Sequence, residues 1–236
     1  ERPHQAGKTD AVAGRFFEPR PSEEFYDNFK DFHNIDNQIE DPLHQSKIKE
    51  LKKELRRQQL KFFDSGLMPE EMRNRIIKEK KTTVYELVRN PKLYPLAKYL
   101  DYSDLALSRK KKNLKTLTSG LSDYDPVIRY WSVVGLLLLE KQAKPAIPNL
   151  KKALDDRDEI PSLAALAIFK AGSENFAIKW MLDEILENPE NKMLANVLDW
   201  MDQESFSILA QIPADKLPKR GLLKDVVNRY QARALN

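Results

Sequence analysis

Cysteine is absent from this chain of 236 residues, and glycine is scarce, with seven in all. The lack of cysteine excludes disulfides, thiol catalysis and thiolate metal sites. The few glycines form no Gly-rich phosphate-binding loop. There are only three histidines, and none has a partner at metal-ligand spacing, so we interpret them as surface loop residues: His4, His33 and His44.

Long apolar runs are also missing. The sequence has no stretch of about 18 apolar residues, which predicts no membrane span. Its first residues lack the pattern of a signal peptide. The chain does not begin with methionine, and we therefore expect it to be a piece of a longer protein.

The residues that are plentiful favour helix. Leu, Ala, Lys and Glu dominate, and 41% of residues are hydrophobic against 32% charged. Asp41 and Pro42 predict the start of an amphipathic helix that ends at Ser65-Gly66. Its apolar stripe contains Ile48, Leu51, Leu55 and Phe62. Further along, the pattern predicts helices at 111–121, 126–140, 145–155, 160–171, 174–187, 191–201, 204–211 and 221–234.

A weak internal repeat runs through this second half. "GLSDYDPVIRYWSVVGLLLL" and "ALDDRDEIPSLAALAIFKAG" align at an offset of 33 residues, with Asp123 matching Asp156 and Asp125 matching Asp158. Each copy has an acidic turn followed by a nearly all-apolar helix, which must be covered on every side by neighbours. We therefore predict a mainly α fold, a helical-repeat α-solenoid with a short N-terminal extended strand segment, over an irregular helical bundle.

Charge is unevenly distributed. Residues 1–42 have a net charge of −5, residues 43–149 of +11 and residues 150–236 of −2. The middle region could attract a polyanion. Its densest point is a candidate polyanion contact formed by Arg109, Lys110, Lys111 and Lys112. The alternative, which the interspersed Asp and Glu residues favour, is that these side chains are simply solvated.

Other patterns do not identify chemistry. The acidic residues Asp31, Asp36, Glu40 and Asp41 do not follow the spacing of a calcium-binding loop, and we interpret them as caps and turns. No serine lies in a strand–turn–helix context. The sequence identifies no catalytic, cofactor-binding or metal-binding residue. We expect the aromatic residues of the middle region to fill helix interfaces: Tyr94, Tyr99, Tyr102, Tyr130 and Trp131.

One segment resembles a known family. "RPSEEFYDNFKDFHNIDNQIEDP" is similar to the segment that ends the core of formylglycine-dependent sulfatases, with Arg20-Pro21, Glu23-Glu24 and Tyr26-Asp27 at matching positions. It departs from the family pattern at Phe25, Phe32, Asn34 and Gln38-Ile39. Downstream, "DSGLMPEEM" and "TVYELVRNPKLYPLAKYLDYSDLAL" resemble later segments of bacterial sulfatases. "DYDPVIRYWSVVGLLLL" resembles their C-terminal HEAT-like repeats.

The resemblance implies a division of the chain. Residues 1–42 would be the tail end of the sulfatase core, with its closing strand. Residues 43–108 would be linking helices and residues 109–236 HEAT-like repeats. The formylglycine nucleophile and calcium would belong to a missing upstream domain. In "KLPKR", Lys216 stands at the nucleophile position, and lysine cannot become formylglycine.

The implied function is that of a non-catalytic C-terminal module, inactive on its own. It would serve packing, assembly or framing of the substrate cleft in a sulfatase acting on sulfated carbohydrate, in the periplasm or outside the cell. Expected partners are its own catalytic domain, a sulfated glycan and a second copy of itself, with no nucleic acid. The alternative is a free-standing helical-repeat module for protein interaction.

Overall fold

The computed structural model describes residues 6–18, 20–201, 212 and 221–234. These residues are mainly helical, as the composition predicts, and none of them lies in a β-strand. His4, the predicted helix 204–211 and the segment 216–220 with Lys216 lie outside the described residues. No helix in the described part of the chain is long and apolar enough to cross a membrane.

The α-helices, numbered in chain order, are α1 (Ala11–Gly14), α2 (Gln45–Phe62), α3 (Glu70–Lys80), α4 (Val84–Arg89), α5 (Leu96–Leu107), α6 (Leu114–Gly120), α7 (Pro126–Leu139), α8 (Ile147–Lys152), α9 (Ile160–Lys170), α10 (Glu174–Glu187), α11 (Lys192–Met201) and α12 (Leu222–Ala234). Short 3-10 helices lie at Arg15–Phe17, Pro42–His44, Lys111–Asn113, Glu140–Ala146 and Ala153–Asp155. The chain divides into two compact units, Glu1–Phe63 and Asp64–Asn236.

The N-terminal unit has turns where a strand was expected. Residues 23–27 form no ladder; instead the Phe25 N–H donates to Asn37 Oδ1 at 3.0 Å, and the Phe25 carbonyl accepts from the Gln38 N–H at 2.8 Å. Earlier in the same N-terminal segment, where the sequence predicts extended structure, Arg15–Phe17 form a 3-10 helix. Asp10 causes this difference, because its carboxylate caps α1, which leads directly into that turn.

Helical structure begins at Pro42 as predicted, but as the 3-10 helix Pro42–His44, from which α2 continues at Gln45; α2 ends earlier than predicted. The Asp41 carboxylate accepts from the Leu43 N–H at 2.8 Å, and Pro42 occupies the first position of the helical turn. The helix stops at Phe62 because Phe63 adopts a left-handed conformation, with φ of 58°. The Ser65-Gly66 pair is therefore not its terminator.

The C-terminal unit consists of two sets of helices. In the first set, α5 packs against α7, α7 against α9 and α9 against α11. Members of the second set cover them: α6 packs on α7, α8 and α10 pack on α9, and α12 packs on α11. Helix α9 is buried from Ser162 to Phe169, which is why every one of those positions is small or apolar.

The two matching helices start 34 residues apart, at Pro126 and Ile160, rather than the 33 of the sequence alignment. Asp158, two residues before α9, has a φ of 59°. Its left-handed backbone turns the chain before α9 begins, and aspartate tolerates this conformation better than most residues.

The predicted helix 145–155 is wrong as a single element. It is divided into the 3-10 helix Glu140–Ala146, the short α8 and the 3-10 helix Ala153–Asp155. Pro145 and Pro148 lack the N–H groups that a continuous helix needs, and their rings crowd the preceding turn.

Candidate functional site

The candidate polyanion contact lies where three helices of the C-terminal unit end or begin. A Cβ atom on Gly135 would lie 2.6 Å from Leu117 Cδ2, and one on Gly120 would meet the Ser132 hydroxyl. Helices α6 and α7 are therefore antiparallel, which places the N-terminal end of α6 beside the C-terminal end of α7.

Helix α5 runs parallel to α7. The Tyr99 hydroxyl donates to Asp125 Oδ1 at 3.2 Å, before the first turn of α7, and the Tyr102 hydroxyl lies 2.9 Å from Ser132 Oγ. Further along, Ala106 faces Gly135. The segments that follow α5 and α7, residues 108–115 and Glu140–Ala146, therefore meet at one end of the helical array. We call these two segments the basic end.

The turn at the basic end is fixed by short polar side chains. Asn113 Nδ2 donates to the Leu105 carbonyl at 3.0 Å and to Ser108 Oγ at 2.8 Å, and Ser108 Oγ donates to the same carbonyl. Arg109 adopts a left-handed φ of 52°. Because Ser108 and Asn113 close the turn, the four cationic residues between them are directed outward, and all are exposed.

The structure enlarges the basic run that the sequence shows. Lys115 lies in the first turn of α6, and Lys141 and Lys144 come from the segment after α7; all three are exposed. The basic end contains one acidic residue, Glu140. None of its six lysines forms an ion pair with any described residue. The sequence missed Lys141 and Lys144 because they lie about 30 residues from the run, and only the antiparallel pairing of α6 and α7 brings them near.

The opposite end of the array is acidic, and most of its carboxylates already have a hydrogen-bond or ion-pair partner. It comprises residues 121–125 and 153–159, which we call the acidic end. The Asp156 carboxylate accepts a hydrogen bond of 2.6 Å from Arg129 Nε, and the Asp158 carboxylate accepts one of 2.8 Å from Arg75 Nη2. The hydrogen bonds that the guanidinium groups of Arg75 and Arg129 donate to these carboxylates raise the pKa of both. Asp125 caps α7 by accepting from the Val127 N–H at 3.0 Å.

Glu159 is the most buried carboxylate of the acidic end, only 3% exposed. Its Oε1 accepts from the Glu71 N–H at 2.8 Å, while Oε2 has no hydrogen-bond partner among the described residues. Burial raises the pKa of this carboxyl, and the neighbouring charges of Glu71 and Asp158 raise it further.

The acidic run of the N-terminal unit forms turns. Asp31 Oδ2 accepts from the Asp36 N–H at 2.7 Å, and backbone hydrogen bonds from Ile35 and Asp36 lower the Asp31 pKa. The described residues include no group of three or more His, Asp or Glu side chains placed to hold a metal ion. His33 contacts the ring of Phe32, and His44 that of Phe25.

A polar cleft of about 470 Å³ also lies within the N-terminal unit. Residues of both charge signs line it, Arg15 and Arg20 as well as Glu24 and Asp36, together with His33. Desolvation, followed by the nearby Glu24 charge, raises the pKa of the Tyr26 hydroxyl, which also lines the cleft.

The aromatic residues of the middle region fill helix interfaces, as predicted. Tyr94 and Tyr99 are buried and contact each other edge to face at 5.1 Å. Burial raises the pKa of Tyr94 to about 12. Tyr102, Tyr130 and Trp131 are partly buried against the same core. Other aromatics of this region are exposed, and the sequence did not single them out for helix interfaces: Phe62, Phe63, Tyr85 and Tyr124. Tyr124 lies at the acidic end.

In comparisons with known proteins, no protein-family model, curated protein or solved structure matches this chain.

Proposed function

We propose that this chain is the non-catalytic C-terminal helical module of a formylglycine-dependent sulfatase that acts on sulfated carbohydrate. In this proposal the module packs against a catalytic domain that precedes it in the same polypeptide, and serves assembly or frames the substrate cleft. The parent enzyme would work in the periplasm or outside the cell.

The observation that carries the proposal is the meeting of three sulfatase-like segments. The Tyr94 hydroxyl, from "KLYPLAKYL", donates to the Asp64 carbonyl of "DSGLMPEEM" at 2.9 Å. The Trp131 indole N–H, from "DPVIRYW", donates to the Leu67 carbonyl at 2.9 Å. The second and third segments thus both donate side-chain hydrogen bonds to the backbone of the first, at residues 64 and 67. This arrangement supports the view that the three likenesses belong to one structural unit.

The packing order of the helices supports HEAT-like repeats. The alternation of α5, α7, α9 and α11 with covering helices is what a two-layer α-solenoid requires. Arg129 in one repeat and Asp156 in the next form an ion pair, with Nε and Oδ2 2.6 Å apart. Such an array offers an extended surface for a neighbouring domain.

The residues of this chain do not fit the sulfatase cofactors. Formylglycine is made from Cys or Ser in a Cys/Ser-x-Pro/Ala-x-Arg motif, and this chain has no cysteine and no serine in that context. The described residues offer no carboxylate group suited to calcium. The proposal therefore assigns both formylglycine and calcium to the preceding domain.

Activity of the longer gene product tests the proposal. We expect the product of the complete reading frame to hydrolyse a chromogenic aryl sulfate in the presence of calcium. The isolated chain should be inactive, and so should a longer product in which the motif Cys or Ser is replaced by Ala. A reading frame that begins near residue 1, with no upstream motif, would instead support a free-standing helical-repeat interaction protein. Turnover that follows the isolated chain through repurification would contradict both readings.

A further inference from the structure

We propose that the basic end is a docking surface for an anionic polysaccharide. The proposal concerns this chain's own surface and does not depend on whether its parent is a sulfatase. It rests on three observations: which charges are neutralised within the molecule, which segments share one end of the array, and what the basic end lacks.

The first observation is an asymmetry in ion pairing. At the acidic end, the carboxylates of Asp156 and Asp158 are paired with arginines, and Asp125 and Glu159 accept backbone hydrogen bonds. At the basic end the lysine ammonium groups face solvent without a described carboxylate partner. Each of these ion pairs neutralises one positive and one negative charge at the acidic end. The unpaired lysines leave a positive surface at the other end.

The second observation is that the positive charges come from two separate segments. Lys110, Lys111 and Lys112 follow α5, whereas Lys141 and Lys144 follow α7. The antiparallel contact of α6 with α7 brings the two segments together. A single solvated lysine run would not need this arrangement, whereas a polymer that crosses the end of the array would contact both segments.

The third observation identifies the chemistry of the partner. The described residues of the basic end expose no large hydrophobic or aromatic side chain. Single-stranded nucleic acids bind through bases stacked on aromatic rings as well as through phosphates. An acidic protein helix docks through apolar anchors. A surface that offers mainly cationic groups, without apolar or aromatic anchors, fits a polymer that carries sulfate or carboxylate groups on a polar backbone.

Binding to labelled dextran sulfate at low salt tests the proposal, with neutral dextran as the reference polymer. We expect dextran sulfate to bind and dextran not to bind. The Lys110/Lys111/Lys112→Ala variant should bind at least about tenfold more weakly, with a shallower salt dependence, because each lost ionic contact lowers counterion release. A separate Lys141/Lys144→Ala variant should also lose affinity, which a site limited to the first run would not predict.

The matched control is Lys78/Lys80/Lys92→Ala, which removes the same number of exposed charges outside the basic end. Circular dichroism checks that each variant is folded. An equal loss in the control would mean that only net charge matters and would overturn the proposal, as would full retention in both basic-end variants.

Polygalacturonate and single-stranded DNA are two further polymers to be tested for binding. Polygalacturonate separates carboxylate from sulfate recognition, and tighter binding of the DNA would overturn the assignment to polysaccharide. Because the isolated chain is used, these outcomes are independent of sulfatase activity.

Discussion

Glu159 Oε1 accepts a hydrogen bond of 2.8 Å from the backbone N–H of Glu71, 88 residues earlier in the chain. Glu71 lies in the first turn of α3, whose N-cap residue is Pro69 and offers no side-chain acceptor. The residue that precedes α9 therefore caps α3. Next to it, Asp158 binds Arg75 on the same helix. Two consecutive acidic residues thus fix α3 to the helical array.

Replacing Glu159 by Ala should destabilise the C-terminal unit. The change leaves the Glu71 N–H without its acceptor, and losing a hydrogen-bond partner in a buried setting costs about 1–3 kcal/mol. Chemical denaturation followed by circular dichroism measures the loss. The control is Glu187→Ala, at an exposed position in the last turn of α10, where we expect a change within about 0.5 kcal/mol. Equal effects at the two positions would contradict the capping role.

The same carboxyl predicts a pH dependence. Its pKa in the folded state lies above the ordinary value of 4.5. As pH rises through that value, the unfolded chain releases the proton first, so the folded chain binds more protons. The contribution of Glu159 to the free energy of unfolding is therefore greatest at low pH and falls as pH rises.

The difference in the free energy of unfolding between the native chain and Glu159→Gln separates the contribution of the Glu159 carboxyl from that of other titrating groups. We expect the variant to gain stability relative to the native chain as pH rises from about 4 to about 7. A difference that stays constant over this range would show that the carboxyl does not change its pKa on folding.

The Arg75–Asp158 pair should contribute more than an exposed ion pair. The Asp158 side chain is 9% exposed, and Arg75 approaches it with Nε and Nη2 at 2.8–3.0 Å. A double-mutant cycle with Arg75→Met and Asp158→Asn should give a coupling energy of about 1–3 kcal/mol, between the values for exposed and fully buried pairs. The Lys98–Asp123 pair, at 4.0 Å and more exposed, is the control and should give less than about 1 kcal/mol.

Trp131 should matter both for packing and for its hydrogen bond. The half-buried indole packs against the core and donates to the Leu67 carbonyl at 2.9 Å. Trp131→Phe should cost about 1 kcal/mol, mainly from the lost bond, and Trp131→Ala about 3 kcal/mol, the lower end for deleting a large aromatic, since the ring is only partly buried. A Phe variant as unstable as the Ala variant would show that the bond to Leu67, rather than the ring volume, dominates.

Local signals in the sequence predicted much of the helical framework. Asp125-Pro126 marks the start of α7, because aspartate caps a helix and proline suits its first position. The apolar run around Leu163 and Ile168 marked a helix covered on all sides, and α9 is buried accordingly. These features depend on residues within a few positions of one another, where periodicity and capping rules apply.

The remaining features depend on contacts between distant residues. Nothing near Glu159 indicates that it caps a helix 88 residues away. Asp158 has a left-handed backbone, and its side chain binds Arg75, which lies 83 residues earlier. Lys141 and Lys144 join the basic run only through helix pairing. The candidate site was therefore predicted in part, from its continuous segment alone.

We propose that the catalytic residues of the parent enzyme lie in a domain that precedes this chain, and that the helical array contributes no catalytic residue. Labelling the purified product of the complete reading frame with an aldehyde-reactive hydrazide, followed by peptide mapping, tests it most directly. The account predicts a single labelled peptide before residue 1, at a Cys or Ser followed by x-Pro/Ala-x-Arg, and loss of the label when that residue is replaced by Ala. A label within residues 1–236, or a complete product without any reactive aldehyde, would contradict it.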